Sequence, residues 1–128
     1  MFVKKGISIL YVEDDPDIRA VAQIALEVVG GFQLCSCASG HEAVAAIERG
    51  LQVDLLLLDV MMPDMDGPGT LRALRKLAAT SKTPVVFMTA KVQSSEQDDY
   101  FDLGAVGVIA KPFDPMNLAQ QLTALLPA

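Results

Sequence analysis

The chain has 128 residues, 52% of them hydrophobic, with a formal net charge of −6. That length suits one domain spanning residues 1–128, able to bury a core without disulfide or metal staples, and the composition excludes a disordered chain. The acidic balance argues against direct nucleic-acid binding, which needs clustered Lys and Arg, and no apolar run approaches the ~18 residues of a membrane span.

In chain order, the start MFVKKGISILYVEDD runs into acids rather than a small-residue cleavage site, so it is not read as a signal peptide. Ile7 to Val12 reads as the first strand and ends at Glu13, Asp14 and Asp15. Pro16 fits a helix's first turn, with an aspartate before it as cap. That helix runs to about Val29, where Gly30-Gly31 stops it. Phe32 to Cys37 forms the second strand. Cys35 and Cys37 share one face of it, too strained for a bridge and too few for a zinc site. They read as small buried hydrophobes in a reducing compartment. Ser39-Gly40-His41-Glu42 has capping-box spacing and opens a helix ending at Gly50. His41 has no second ligand nearby and reads as a surface residue.

Leu55 to Leu58 is an unbroken apolar run, too short for a buried helix and suited to a strand covered on both faces. It stops on Asp59, and Pro63, Asp64, Asp66 and Gly67 supply turn chemistry. A third helix is expected from about Pro68 to Ala78, a fourth strand from Val85 to Met88 ending at Thr89, and a fourth helix from about Ser94 to Leu103. The fifth strand, Val106 to Ala110, stops at Lys111-Pro112. Asp114-Pro115 is expected to cap the last helix, with Leu118, Leu122 and Leu125 as its core stripe. Five short strands alternating with five helices predict an α/β fold, a doubly wound parallel sheet in three α/β/α layers.

In a parallel sheet the strands' carboxyl ends share one edge. Glu13 and Asp14, Asp59, Thr89 and Lys111 therefore meet there, and with order 2-1-3-4-5 strands one and three are neighbours at the switch point. Three converging carboxylates repel unless a cation lies between them, and oxygen-only ligands partly open to water suit Mg²⁺, with Mn²⁺ as alternative. A nucleophile, a metal and a fixed cation are the parts of phosphoryl transfer, with Asp59 as nucleophile. Each residue also has a plain role: Thr89 as a cap, Lys111 as a surface charge, the acids as helix N-terminal bias. Their coincidence at four strand ends favours the joint reading.

YVEDD, LLLLDVMMPDMDG, VVFMTA and the KPF of IAKPF, with Thr89 thirty and Lys111 fifty-two positions after Asp59, resemble the receiver domain of two-component response regulators over essentially the whole chain. The resemblance implies the flavodoxin-like fold, and the strand order above is taken from it. It implies that Asp59 accepts phosphate from a histidine kinase or histidine phosphotransfer protein. Glu13, Asp14, Asp59 and the Met61 main-chain carbonyl would serve the metal, and Thr89 and Lys111 the phosphoryl oxygens. It also implies a cis peptide at Lys111-Pro112, affordable at an X-Pro bond. Val108 stands where the family often has an aromatic switch residue, and Met61 and Lys91 hold the positions at which the family tunes phosphate lifetime.

The expected protein is a cytoplasmic, stand-alone signalling receiver, monomeric or a phosphorylation-dependent dimer, contacting an output protein the sequence does not name. A relay shuttle or sink, or a receiver excised from a larger regulator or hybrid kinase, are the alternatives. No turnover substrate is expected: an aspartate-nucleophile phosphatase would need an acid two residues after Asp59, where Met61 stands. A flavodoxin would need a Ser/Thr/Gly phosphate loop where Glu13-Asp14-Asp15 stands. On the first helix, Arg19, Gln23 and Glu27 form a narrow polar sector, which leaves Ile24 partly exposed as a candidate contact for the phosphate donor. The acidic fourth helix, with Glu96, Asp98, Asp99 and Asp102, reads as a solvated face.

Overall fold

Alternating short apolar strands and amphipathic helices fold as the pattern demands, in a computed structural model that describes residues 6–90 and 94–126, without the side chains of 94–96. Five parallel strands lie in the order β2-β1-β3-β4-β5: β1 Ser8–Val12, β2 Gln33–Cys37, β3 Leu55–Asp59, β4 Val85–Thr89 and β5 Gly107–Ala110. β3 and β4 are buried at every position, as continuous apolar runs require when helices cover both faces. Each of Leu55, Leu56, Leu57 and Leu58 is fully buried, and such burial stabilises by roughly 1.5–3 kcal/mol per leucine. That apolar burial offsets the cost of holding Asp59, itself buried, at the strand's end.

Helix α1 begins at Pro16 and is α-helical to Ile24. Asp15 caps it as expected, its Oδ1 accepting the amides of Asp17 and Ile18. The final turn, Ala25–Val29, widens to a π-helix, with the Gly30 amide reaching back to the Ala25 carbonyl. Helix α2 is Gly40–Glu48. Ser39 Oγ accepts the Glu42 amide, and Glu42 reaches back to the Ala38 amide, one residue earlier than an ordinary capping box. Helix α3, Gly67–Arg75, is followed by a separate 3₁₀ turn, Ala78–Thr80, and α4 is Ser94–Asp102.

The last helix differs from expectation. α5 spans Leu118–Leu125, and Asn117 at its cap makes no side-chain capping bond. Asp114 organises a turn before the helix instead, its carboxylate accepting from the Met116 amide and Asn117 Nδ2. Leu118 and Leu122 are buried and Leu125 half-buried, so the core stripe stands.

The sheet divides the core in two. On one face Ile9, Tyr11 and Leu57 pack under Ala22 and Leu26 of α1 and Leu118 and Leu122 of α5. On the other, Leu10, Leu56, Leu58 and Phe87 pack under Ile47 of α2 and Leu71 and Leu74 of α3. Tyr100 of α4 joins that second layer, its ring 5.3 Å from that of Phe87 and tilted by 41°. Cys35 and Cys37 are free; Cys37 is buried and its thiol is pushed up to about 12 by burial, whereas Cys35 is only half-buried.

Candidate functional site

The register sets the site. Val12 of β1 pairs with Leu58 of β3, so Glu13 and Asp14 leave β1 beside the point where β3 reaches Asp59. Asp59 pairs with Met88, and the next residue of β4 is Thr89, which pairs with Ala110 immediately before Lys111. Four strand ends thus deliver their chemistry to one edge. The carboxylates of Glu13, Asp14 and Asp59 each offer an oxygen, and these oxygens lie within 4.8 Å of one another. Glu13 and Asp59 are buried and Asp14 is exposed.

Lys111 closes the cluster, its Nζ 2.7 Å from Glu13 Oε1 and 3.2 Å from Asp59 Oδ1. Burial pushes the Glu13 carboxyl up to about 7, the bond from Lys111 opposes this, and the neighbouring Asp59 adds to it. Burial lowers the Lys111 ammonium, but its bond to Glu13 and the charges of Asp59 and Glu13 prevail, and the net shift is upward. The lysine is thereby held charged among the acids.

Thr89 is buried at the same edge, and its carbonyl accepts the Lys111 amide. Met61 is exposed in the loop after Asp59. Val108 is half-buried in β5, the Lys111-Pro112 peptide is cis as expected, and Lys91 lies outside the described residues. His41 is exposed, in keeping with a surface role. Gly67 is required under the loop, because a Cβ there would stand 2.6 Å from the Asp59 carbonyl oxygen.

Two residues near the acids escape a reading of sequence pattern. Arg19, which a helical wheel turns toward solvent, bends back so that Nη1 donates to the Glu13 main-chain carbonyl at 2.7 Å. Tyr11 is fully buried, and its hydroxyl has no protein hydrogen-bond partner. Burial raises its ionisation far above the ordinary tyrosine range, and the charges of Glu13 and Asp59 add to the shift. The apolar run Ile7 to Val12 marks Tyr11 as part of a strand but is silent on what its hydroxyl meets.

Three carboxylates against one ammonium form an all-oxygen donor set, open to water on the Asp14 side, which fits a small hard divalent cation. The same edge opens into an apolar cleft of about 530 Å³, lined by Asp17, Ile18 and Val21 of α1 and by Lys111, Pro112 and Phe113.

Comparison with known proteins places this architecture. The model of the response regulator receiver domain matches residues 9–123, so the chain belongs to the receiver domain family of two-component response regulators. It is 36% identical over 118 residues to the transcriptional regulatory protein CpxR of Escherichia coli K12, covering 92% of this chain and 48% of that protein. It is 35% identical to the response regulator Rre1 of Synechocystis sp., covering 94% of this chain and 52% of that one. The chain thus spans about half the length of these relatives. Among solved structures, the chemotaxis protein CheY4 of Vibrio cholerae superposes with a TM-score of 0.85 at 28% identity, over 94% of this chain and 98% of CheY4. The fold is the flavodoxin-like arrangement of that family. Receiver domains are phosphoacceptors that bind Mg²⁺ at an acidic pocket and interact with histidine kinases or phosphotransfer proteins. They are signalling proteins with no known turnover substrate. Among the described residues no helix is long and apolar enough to cross a membrane.

Proposed function

We propose that Asp59 of this chain accepts a phosphoryl group from a phosphohistidine, held on a histidine kinase or a histidine phosphotransfer protein. A carboxylate oxygen of Asp59 attacks phosphorus, the P–N bond breaks, and the histidine leaves with the electron pair and takes up a proton. Lys111 carries the reading, because one ammonium bridges Glu13 and Asp59 at the meeting point of strand ends far apart in sequence. When a phosphoryl group arrives on Asp59, Lys111 is the cation in reach of its oxygens, and Thr89 supplies a hydroxyl at the same edge. Glu13, Asp14 and Asp59 would hold Mg²⁺, with the Met61 carbonyl as a further ligand. The metal's contribution, when bound, is to offset negative charge on the transferring group. Met61 cannot donate a proton two residues after the nucleophile, which favours a phosphoprotein over a phosphatase.

The apolar side of α1 beside the cleft fits the donor. Ile24 is 60% exposed and Val28 76%, and Val21 lines the cleft itself. Burying such a patch against a donor helix brings the phosphohistidine to the Asp59 edge. The response then passes to an output protein, or the phosphate moves on through a relay. The whole-protein activities named for the relatives reach this chain only as proposals, since it spans about half of each.

Incubating the protein with Mg²⁺ and acetyl phosphate is expected to add one phosphoryl mass to wild type and none to Asp59→Asn. An equal adduct on the variant, or one on wild type that does not need the metal, would contradict the mechanism. Ile24→Lys is expected to slow transfer from the donor protein while leaving the reaction with acetyl phosphate unchanged. Equal slowing of both would remove α1 from donor recognition.

A further inference from the structure

The segment from Glu13 to Asp15 must present two carboxylates to the site while belonging to no regular element. Its anchors can be read off the structure. The Glu13 amide donates to the Cys37 carbonyl, the last rung of the β1–β2 ladder. The Asp15 amide donates to Glu13 Oε2, and Lys111 donates to Glu13 Oε1. The Glu13 carbonyl lies past the final pairs of β1 with both neighbours, Val12–Cys37 and Val12–Leu58, so no strand supplies its donor. Arg19 supplies it, from the first turns of the helix that follows.

The two cations at this edge make different kinds of bond. Lys111 bonds carboxylate oxygens of Glu13 and Asp59, the atoms a divalent cation would take over. Its contacts compete with such a cation for the same oxygens. Arg19 bonds a main-chain oxygen outside that set of carboxylate donors, so it does not compete with a metal for them. A guanidinium stays charged at any working pH and is less strongly hydrated than an ammonium, which suits a half-buried post beside three acids.

We infer that Arg19 is a positioning residue: by holding the Glu13 main chain, it fixes the carboxylates of Glu13 and Asp14 in place for a divalent cation. This rests on the phosphoacceptor reading above, and names a residue that adjusts metal affinity without touching metal or phosphate. Partners of metal ligands commonly change affinity by 10–100-fold when removed.

The test measures free and bound Mn²⁺ by electron paramagnetic resonance in wild type, Arg19→Met and Arg19→Lys, together with the thermal midpoint of each metal-free protein. Arg19→Met keeps the aliphatic length and loses the donor and charge. It is expected to bind Mn²⁺ about tenfold more weakly, with a metal-free midpoint close to wild type. At saturating Mg²⁺ it should still take up phosphate from acetyl phosphate. Arg19→Lys, which keeps charge and a donor, is expected to recover most of the lost affinity. Mn²⁺ bound equally tightly by wild type and Arg19→Met would overturn the role of Arg19 alone. So would a metal-free Arg19→Met that is unfolded, or an Arg19→Lys that binds no better than Arg19→Met. Wild-type protein that binds neither Mn²⁺ nor Mg²⁺ would overturn the phosphoacceptor reading, and this inference with it.

Discussion

Glu13 sits under opposing influences, with burial pushing its carboxyl up to about 7 while Lys111 pulls the other way. A cluster of this kind is costly at each residue, and its surroundings show where the cost is met. Lys111 bonds two of the acids directly and Arg19 secures the backbone beneath them. Tyr11 is the exception, a fully buried hydroxyl with no protein partner. Unsatisfied buried polar groups cost about 1–3 kcal/mol. Replacing Tyr11 by Phe should therefore leave metal-free stability unchanged or raise it by up to about 1 kcal/mol, measured by urea unfolding. A loss of more than that would mean the hydroxyl holds a bond within the fold. That Glu13, Asp14, Asp59, Thr89 and Lys111 meet at one sheet edge was legible from the sequence because each ends or follows a strand. The parts played by Arg19 and Tyr11 were not. A helical wheel records the direction of a Cβ and not the reach of a guanidinium, and an apolar strand run records burial and not hydrogen bonding.

At the scale of elements, β3 and the loop that carries it into α3 bear most of the functional geometry. The Gly67 amide donates to the Val60 carbonyl, and its α-carbon lies so close to β3 that a Cβ would meet the Asp59 carbonyl oxygen at 2.6 Å and the Val60 Cα at 2.9 Å. Backbone cannot yield as a side-chain tip can. Gly67→Ala should cost about 1–3 kcal/mol through overpacking and lower the yield of Asp59 phosphorylation, read by thermal unfolding and intact mass. An unaltered midpoint would show that the loop absorbs the methyl group. The strands were readable because a run such as Leu55–Leu58 has few other physical solutions. The start of α5 was not, because Asp-Pro is an equally good opening for a helix and for a turn. Here the Asp114 carboxylate is taken by Met116 and Asn117, which delays the helix to Leu118. The widened end of α1 was also hidden, since a shift from α to π bonding leaves the apolar pattern largely unchanged. That widening coincides with Gly30, where a Cβ would stand 2.6 Å from Ala119 of α5.

For the whole molecule, the site sets stability against function. Metal-free protein holds three carboxylates within 4.8 Å with one lysine bonded among them. Above pH 7, where Glu13 is ionised as well, removing the charge of Asp59 relieves two repulsions and gives up one attraction. Asp59→Asn should thus be more stable than wild type by about 1 kcal/mol without metal. Saturating Mg²⁺ should raise the wild-type midpoint more than the variant's, because binding to the native state alone shifts the folding equilibrium. A less stable metal-free variant would mean that the Lys111 bond to Asp59 outweighs the repulsion. A chain in this state gathers like charge at one sheet edge, and the proposed cation would relieve it. Val108 stands where the family often has an aromatic. Tyr100 of α4 packs on Phe87 of β4, two residues before Thr89, so an aromatic pair still connects the strand that ends at the site to the helix beside it.

The central claim is that Asp59 becomes an acyl phosphate, and borohydride reports on it directly by reducing an acyl phosphate, but not a free carboxylate, to the alcohol. After phosphorylation by acetyl phosphate with Mg²⁺, reduction and peptide mass analysis should find homoserine at position 59 and at no other aspartate. Homoserine at Asp14 or Asp64 with Asp59 intact, or no reduced aspartate in a protein that has gained phosphate, would contradict the account.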